Sequence, residues 1–454
     1  MTDYDVIVIG AGPAGEVCAG RLGAHGLSVA VVERWLVGGE CSYYACMPSK
    51  ALLRPEEALE EARRIPGAAE AAAGTLDVGA VLRRRNEVVH DLHDDVQLPW
   101  LEQRGVTLLR GNARLTGERT LEVDGTTYSA RRAVVIATGT GPFIPPVPGL
   151  VEAHAWTNRE GTTSNEVPAR LLVLGAGPVG VELGQAWATL GSQVTIVEGG
   201  PRILSREEEF AAQYVHDGLV ARGVEVIVGA HATSVERNGV VRLTLDNGRV
   251  LEGDQILVGV GRRPSTSDLG LETVGLEPGA YVTVDDTLRV PGHDWLYAIG
   301  DVNGRVLLTH MGKYQGRIAA DVILGKEARI DPLSDGALSP RVTFTEPQVA
   351  AVGHTFASAL AAGMPVRAVD QETSGTAGGS FYGRNAPGTS RLVVDEDRRI
   401  IVGATFCGTD VAEWLHAATF AVVGEVPIDK LWHAVPSYPS RSEVWLRLFE
   451  IYGL

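Results

Sequence analysis

The chain has 454 residues, 45% of them hydrophobic and 21% charged, and a formal net charge of −16. This is an ordinary globular composition with room for about three domains at ~150 residues each. The acidic balance argues against non-specific nucleic-acid binding and against docking on anionic membranes, both of which need clustered Lys and Arg. The apolar runs, such as Ala133–Ala137, are strand-sized and fall short of the ~18 residues a membrane-spanning helix needs. The start, Met1-Thr2-Asp3-Tyr4-Asp5, lacks the basic region of a signal peptide, so a cytoplasmic protein is expected.

In chain order, residues 5–9 form an apolar run ending at a glycine, as expected of a strand buried in a parallel sheet. Gly10-Ala11-Gly12-Pro13-Ala14-Gly15 follows and opens a helical pattern. A second strand, Ser28–Val32, runs into Glu33, which completes one strand–helix–strand unit. Residues 51–105 read as helical, with Val81–Gly105 carrying apolar residues three and four apart. Residues 106–135 read as β-hairpins, and Val134–Ala137 as a return to a buried strand. Pro142 to Pro148 reads as a linker.

The opening pattern then recurs. A strand at Leu171–Leu174 leads into Gly175-Ala176-Gly177-Pro178-Val179-Gly180, a helix, and a strand Gln193–Val197 ending at Glu198. A third region begins near residue 335, with strands expected at 341–344, 391–394 and 400–406 and helices at 410–424 and 441–450.

Each glycine loop has the makings of a phosphate cradle. Glycine lets the backbone turn tightly and approach the phosphate, and the free N–H groups of a helix start point at it. The residues are Gly10, Gly12 and Gly15 in the first loop and Gly175, Gly177 and Gly180 in the second. Glu33 and Glu198 each lie 18 residues after the last of these, placed to accept hydrogen bonds from ribose hydroxyls. Two such sites in one chain suggest a flavin and a nicotinamide, an electron relay. A carboxylate at position 198 favours NADH over NADPH, because it repels a 2′-phosphate. Arg202 and Arg206 follow nearby and read as solvated loop charges.

Four cysteines, Cys18, Cys41, Cys46 and Cys407, are too few for a secreted disulfide framework in a chain this long. The close pair Cys41 and Cys46 suggests catalysis. Metal binding is the weaker reading, since no second Cys or His pair stands at zinc-like spacing, and two ordinary buried thiols are the plain alternative. In a regular helix residues five apart sit ~140° apart around the axis, so a disulfide there needs a distorted or partly unwound first turn. Pro48 suits the start of the regular helix, and Lys50 with that helix start would stabilise a thiolate.

Taken together these motifs resemble the pyridine nucleotide–disulfide oxidoreductases, the flavoproteins that include dihydrolipoyl dehydrogenase, glutathione reductase, mercuric reductase and soluble transhydrogenase. The resemblance spans essentially the whole chain. It rests on Cys41 and Cys46 with Pro48-Ser49-Lys50, on Ala137-Thr138-Gly139, on Gly259-Val260-Gly261-Arg262-Arg263-Pro264, on Tyr297-Ala298-Ile299-Gly300-Asp301-Val302 and on Phe344-Thr345-Glu346-Pro347.

It implies an α/β fold with two Rossmann-like dinucleotide-binding domains and a C-terminal α+β dimerisation domain. The FAD domain would take residues 1–150 and 270–334, the NAD(P) domain 151–269 and the interface domain 335–454. It implies non-covalent FAD held by the first loop, Glu33, Lys50, Thr138, Gly139 and Asp301. Nicotinamide would be held by the second loop, Glu198 and Gly261. Cys46 would face the flavin and Cys41 exchange with substrate, with Lys50 paired to Glu182 near the flavin N5. A homodimer with composite active sites and a small-molecule electron acceptor follow, with no resident metal.

One departure stands out. Disulfide reductases of this kind carry a His-Pro-Thr motif with a glutamate five residues on, whereas here the segment is Tyr438-Pro439-Ser440-Arg441-Ser442-Glu443. Glu443 is in place, but the base position is a tyrosine. The final Ile451-Tyr452-Gly453-Leu454 lacks the cysteine pair of mercuric reductases, which argues against mercury reduction. His433 could substitute as a base, although a structural role is expected for it and for His310. The alternatives are direct reduction of quinones or dyes from the flavin, transhydrogenation, and a non-enzymatic NADH-sensing flavoprotein.

Overall fold

The computed structural model describes residues 2–454. They fall into two compact units. The first comprises the chain up to Pro48, Asn86–Phe143 and Gly261–Gly336. The second comprises Ser49–Arg85, Ile144–Val260 and Ala337–Leu454.

The first unit is built on a seven-stranded sheet. Its parallel part runs in the order Val106–Arg110, Val29–Glu33, Thr2–Ile9, Thr126–Ile136, Leu296–Ala298. Thr120–Val123 and Ala113–Gly117 extend it antiparallel. Val6, Ile7 and Val8 are fully buried, as a continuous apolar run in a covered parallel sheet must be. Helix Pro13–Ala24 lies beside helix Thr309–Ile323. Gly316 makes that approach possible, since a Cβ there would come within 2.6 Å of the Ala14 carbonyl oxygen.

The second unit repeats the motif on a smaller scale. A four-stranded parallel sheet has the order Glu225–Val228, Gln193–Glu198, Arg170–Leu174, Gln255–Val258. A three-stranded antiparallel sheet, Ala232–Asn238, Val240–Leu245 and Val250–Gly253, follows it in the same unit. The C-terminal segment forms a five-stranded antiparallel sheet, Arg341–Thr343, Gln348–Gly353, Ile400–Gly408, Thr389–Asp395, Val366–Glu372. Helices Leu415–Val423 and Glu443–Tyr452 pack on that sheet around the buried Phe406.

Three local expectations are corrected. The helix read over 81–105 is broken: Val78–Val88 is helical, His90, Asp91 and Leu92 take positive φ, and a short helix Leu98–Glu102 follows with Pro99 in its first turn. The apolar spacing survives the break because both pieces bury one side, Val81 and Leu82 in the first and Leu101 in the second. The hairpin ending near 135 and the buried strand at 134–137 are one strand, Thr126–Ile136, largely exposed over its first half and buried over its last four residues. Finally, Cys41 and Cys46 do not share a loosened first turn. A short helix Gly39–Tyr43 stops at Tyr44 (φ −132°, ψ 0°) and a new helix, Cys46–Arg64, starts at the second cysteine, with Pro48 in its first turn as expected.

Candidate active site

The two glycine loops have the same construction. In the first unit, a Cβ on Gly10 would come within 2.4 Å of the Ala137 carbonyl oxygen, and one on Gly15 within 1.9 Å of the Gly10 carbonyl oxygen. Neither neighbour is a side chain that can swing away, so both positions require glycine. Gly12 instead has no atom within 4 Å of where its Cβ would be, which leaves open space at the start of the helix. The second unit repeats this. A Cβ on Gly175 would meet the Gly259 oxygen at 2.8 Å and one on Gly180 the Gly175 oxygen at 1.9 Å, while Gly177 faces open space.

The acids repeat too. Glu33 accepts from the Ala11 N–H (2.8 Å) and the Trp35 N–H (2.7 Å). Glu198 accepts from the Ala176 and Gly200 N–H groups, both at 2.7 Å. Each carboxylate oxygen is thus held by one backbone donor and keeps a lone pair for a ribose hydroxyl.

Further residues of the first unit fit a flavin nucleotide. The Thr138 hydroxyl is buried and meets no hydrogen-bonding group among the described residues, a loss that a bound polar ligand would make good. Gly139 turns the chain after it with φ +67°. Asp301 sits in the turn Gly300–Asn303, where the Thr140 hydroxyl donates to it at 2.8 Å. Arg262 stands 3.9 Å from the same carboxyl, donates to Thr140 Oγ1 at 2.6 Å and lies 3.6 Å from Glu40. Burial holds the Asp301 carboxyl above the ordinary range, against the pull of Thr140 and Arg262. Gly261, with φ +148°, precedes Arg262 and packs in the first unit.

The cysteine pair belongs to the same unit. Neither residue is in a disulfide, and Cys46 Sγ lies 3.3 Å from Thr309 Oγ1, at the start of helix Thr309–Ile323. The Cys41 thiol is pushed far above its ordinary value, first by its hydrogen bond to Cys46, then by burial and by the charge on Cys46. The two sulfurs are thus hydrogen-bonded partners, and Cys41 holds its proton.

In the second unit, Lys50 Nζ forms a 2.6 Å ion pair with Glu182, donates to Ser49 Oγ at 3.3 Å and stands 4.6 Å over the Phe344 ring. Glu182 also accepts from the Phe344 N–H at 2.9 Å. Tyr438 is 78% exposed, whereas Glu443 is buried and accepts from the Gly378 N–H at 3.0 Å.

Several site residues escaped the sequence reading. Arg262 stands inside a quoted motif and Thr140 just after one, but their meeting at Asp301 brings Thr140 to residues over a hundred positions away. Thr309 carries no signal of its own. Among the described residues, no group of His, Cys, Asp or Glu is placed to hold a metal ion, and no helix is long and apolar enough to cross a membrane.

Two dinucleotide cradles and a cysteine pair define a nicotinamide-dependent flavin oxidoreductase. Residues 4–316 match the family described as pyridine nucleotide-disulphide oxidoreductase, and residues 339–448 match its dimerisation domain. The chain belongs to that family, one of NAD(P)H-dependent, FAD-containing enzymes of disulfide reduction. It is 35% identical to the dihydrolipoyl dehydrogenase of Thermus scotoductus, over 98% of this chain and 96% of that one. It is 30% identical to a mercuric reductase of Staphylococcus aureus, over 97% of this chain and 81% of that one. Among solved structures it is similar to the HOCl-induced flavoprotein disulfide reductase RclA from Escherichia coli, with TM-score 0.85, 26% identity and coverage of 99% and 100%. LpdA from Mycobacterium tuberculosis is comparable, with TM-score 0.85, 27% identity and the same coverage. The fold class expected from the sequence is the one these matches share.

Proposed function

We propose that the chain takes hydride from NADH through FAD to the Cys41–Cys46 pair, and from there to a small acceptor of the disulfide or thiol type. The observation that carries this is the cysteine pair itself: two coupled thiols in the unit that holds the first dinucleotide cradle, with the proton kept on Cys41. FAD supplies a centre that accepts a nicotinamide hydride and releases two electrons singly or together. Gly10, Gly12, Gly15 and Glu33 would hold its adenosine and phosphates, and Thr138, Gly139 and Asp301 the rest of the molecule. Lys50 would be the cation of the relay, oriented by its ion pair with Glu182. The second loop and Glu198 would hold the nicotinamide nucleotide.

Two observations support NADH over NADPH. Glu198 is fixed by two backbone donors where a 2′-phosphate would approach. Arg202 is spent on its own loop, donating to the Leu204, Ser205 and Glu207 carbonyls at 2.8 to 3.0 Å, and so is not free to pair with that phosphate.

A second reading is favoured by Tyr438. Where the resembled disulfide reductases have a histidine, this chain has an exposed phenol, which suits acceptors that need no base, such as quinones or dyes taking electrons from the flavin. An acceptor screen under NADH, comparing wild type with Cys46→Ser, separates the two. Activity lost in the variant supports the thiol route. Full activity in the variant with quinones or dyes, together with no turnover of any disulfide by the wild type, overturns it.

A further inference from the structure

Cys41 stands on a helix of only five residues, Gly39–Tyr43. A helix that short is marginal by itself, so its place depends on what tethers it. Its start is tied by the Gly38 N–H, which donates to the Ala11 carbonyl at 2.8 Å. Gly39 packs on the first cradle so closely that a Cβ there would come within 2.9 Å of the Gly12 Cα. Its end is tied by the buried Tyr43, whose hydroxyl donates to the His93 carbonyl at 3.4 Å. Between these ties, the residue next to Cys41 is a carboxylate, and Glu40 lies 3.6 Å from the Arg262 guanidinium.

Arg262 is itself firmly held. It opens strand Arg262–Pro264, which pairs antiparallel with Thr140–Pro142. Its guanidinium donates to the Thr140 hydroxyl at 2.6 Å and to the Thr140 carbonyl at 2.7 Å, and stands 3.9 Å from Asp301. The Thr140 hydroxyl donates in turn to Asp301 at 2.8 Å. A cation thus stands between two carboxylates, one beside the redox cysteines and one on the turn proposed to meet FAD. All three side chains are mostly shielded from solvent, which makes their attraction stronger than that of a surface pair.

We propose that Glu40 is a positioning residue for the cysteine pair, acting through Arg262. The Glu40–Arg262–Asp301 bridge holds Cys41 against Cys46, its hydrogen-bonded partner, and ties its place to the turn that carries Asp301. The inference rests on the pair being the redox centre. A disulfide holds its own two sulfurs together, whereas two thiols stay in reach only if their segments are held. The bridge does this across the break at Tyr44, which separates the helix of Cys41 from the helix of Cys46. Keeping the thiols in reach favours closure of the S–S bond, so the bridge stabilises the disulfide relative to the dithiol. It also opposes the repulsion of Glu40 by the phosphates that the first loop would hold, which approach the same short helix at Gly12.

The test equilibrates the FAD-loaded protein in dithiothreitol redox buffers and reads reduction as maleimide labelling of Cys41 and Cys46. In each exchange one protein disulfide and one reduced dithiothreitol give the protein dithiol and cyclic dithiothreitol disulfide, so electrons and protons balance. Glu40→Gln keeps the shape of the side chain and removes its charge. It should let the pair be half reduced at a severalfold lower ratio of reduced to oxidised dithiothreitol than wild type. Arg262→Met should move the ratio the same way, and the double variant no further than the larger single shift, because both changes break one bridge. A role through charge alone gives a different pattern. Loss of the Glu40 carboxylate would then lower the ratio, and loss of the Arg262 cation would raise it. Opposite or additive shifts, or a wild-type ratio in Glu40→Gln, would overturn the proposal. Flavin absorbance shows that each variant is loaded. Should Arg262→Met fail to hold flavin, Arg262→Gln, which keeps a donor for Thr140, takes its place with the same expectation. If NADH leaves the labelling of both wild-type cysteines unchanged, the underlying relay fails instead, and the inference falls with it.

Discussion

At residue 198 a single carboxylate decides between two cofactors that differ by one phosphate. Two backbone N–H groups pin Glu198, so it cannot swing away when a 2′-phosphate arrives, and like charges meet at short range. Glu198→Ala should raise the NADH KM about tenfold or more, the worth of a lost charge-assisted hydrogen bond. It should also narrow the preference over NADPH, as initial rates with the two nucleotides will show; an unchanged ratio would mean that discrimination lies elsewhere. At residue 438 the issue is protons. Histidine titrates near 6.5 and tyrosine near 10, a gap of roughly 5 kcal/mol in proton affinity. Tyr438→His is therefore expected to raise turnover of a small disulfide severalfold, while Tyr438→Phe leaves it as it was. Efficient wild-type disulfide reduction, insensitive to both changes, would point to His433 or to water as the carrier. Lys50 keeps 34% of its side chain exposed, so its pairing with Glu182 orients the ammonium more than it stabilises the fold.

Among the secondary-structure elements, the two glycine loops invite the clearest test because they are duplicates on separate sheets. A methyl group at Gly180 would overlap the Gly175 carbonyl oxygen at 1.9 Å, and the overlap can be relieved only by moving the loop. Gly180→Ala should abolish reduction by NADH while the protein still binds FAD, at a stability cost of about 1–3 kcal/mol. Gly15→Ala, with the same 1.9 Å overlap in the first loop, should instead yield colourless protein. Flavin absorbance and a stopped-flow NADH titration distinguish the two, and a Gly15→Ala protein that retains its flavin would contradict the assignment of the loops. The break at Tyr44 belongs to this scale as well. It puts Cys41 in one short helix and Cys46 at the start of the next, so the pair is not bound to the ~140° separation of a continuous helix.

For the whole molecule, the matched dimerisation domain carries large apolar side chains turned outward: Phe420 66%, Val435 82% and Tyr438 78% exposed. A net charge of −16 repels copies at long range, so a patch of this kind must gain its stability from apolar contact. A homodimer is expected by light scattering, and Val435→Asp should drive it to monomer and abolish turnover if each site draws on both copies. A monomer with full activity would exclude the composite site.

The sequence by itself determined the α/β class, the duplicated cradles, the acids that end their second strands and the cysteine pair. All of these depend on local spacing: glycine where a Cβ would strike a backbone oxygen, and an apolar run where a strand is covered on both faces. It also carried the departure at Tyr438, which is a matter of residue identity alone. Tertiary structure decided where the long helical region breaks, since apolar spacing is the same on both sides of the positive-φ residues at 90–92. It alone brought Arg262 and Thr140 to Asp301. Those meetings join segments with no periodic relation, so they exist only once the chain has packed.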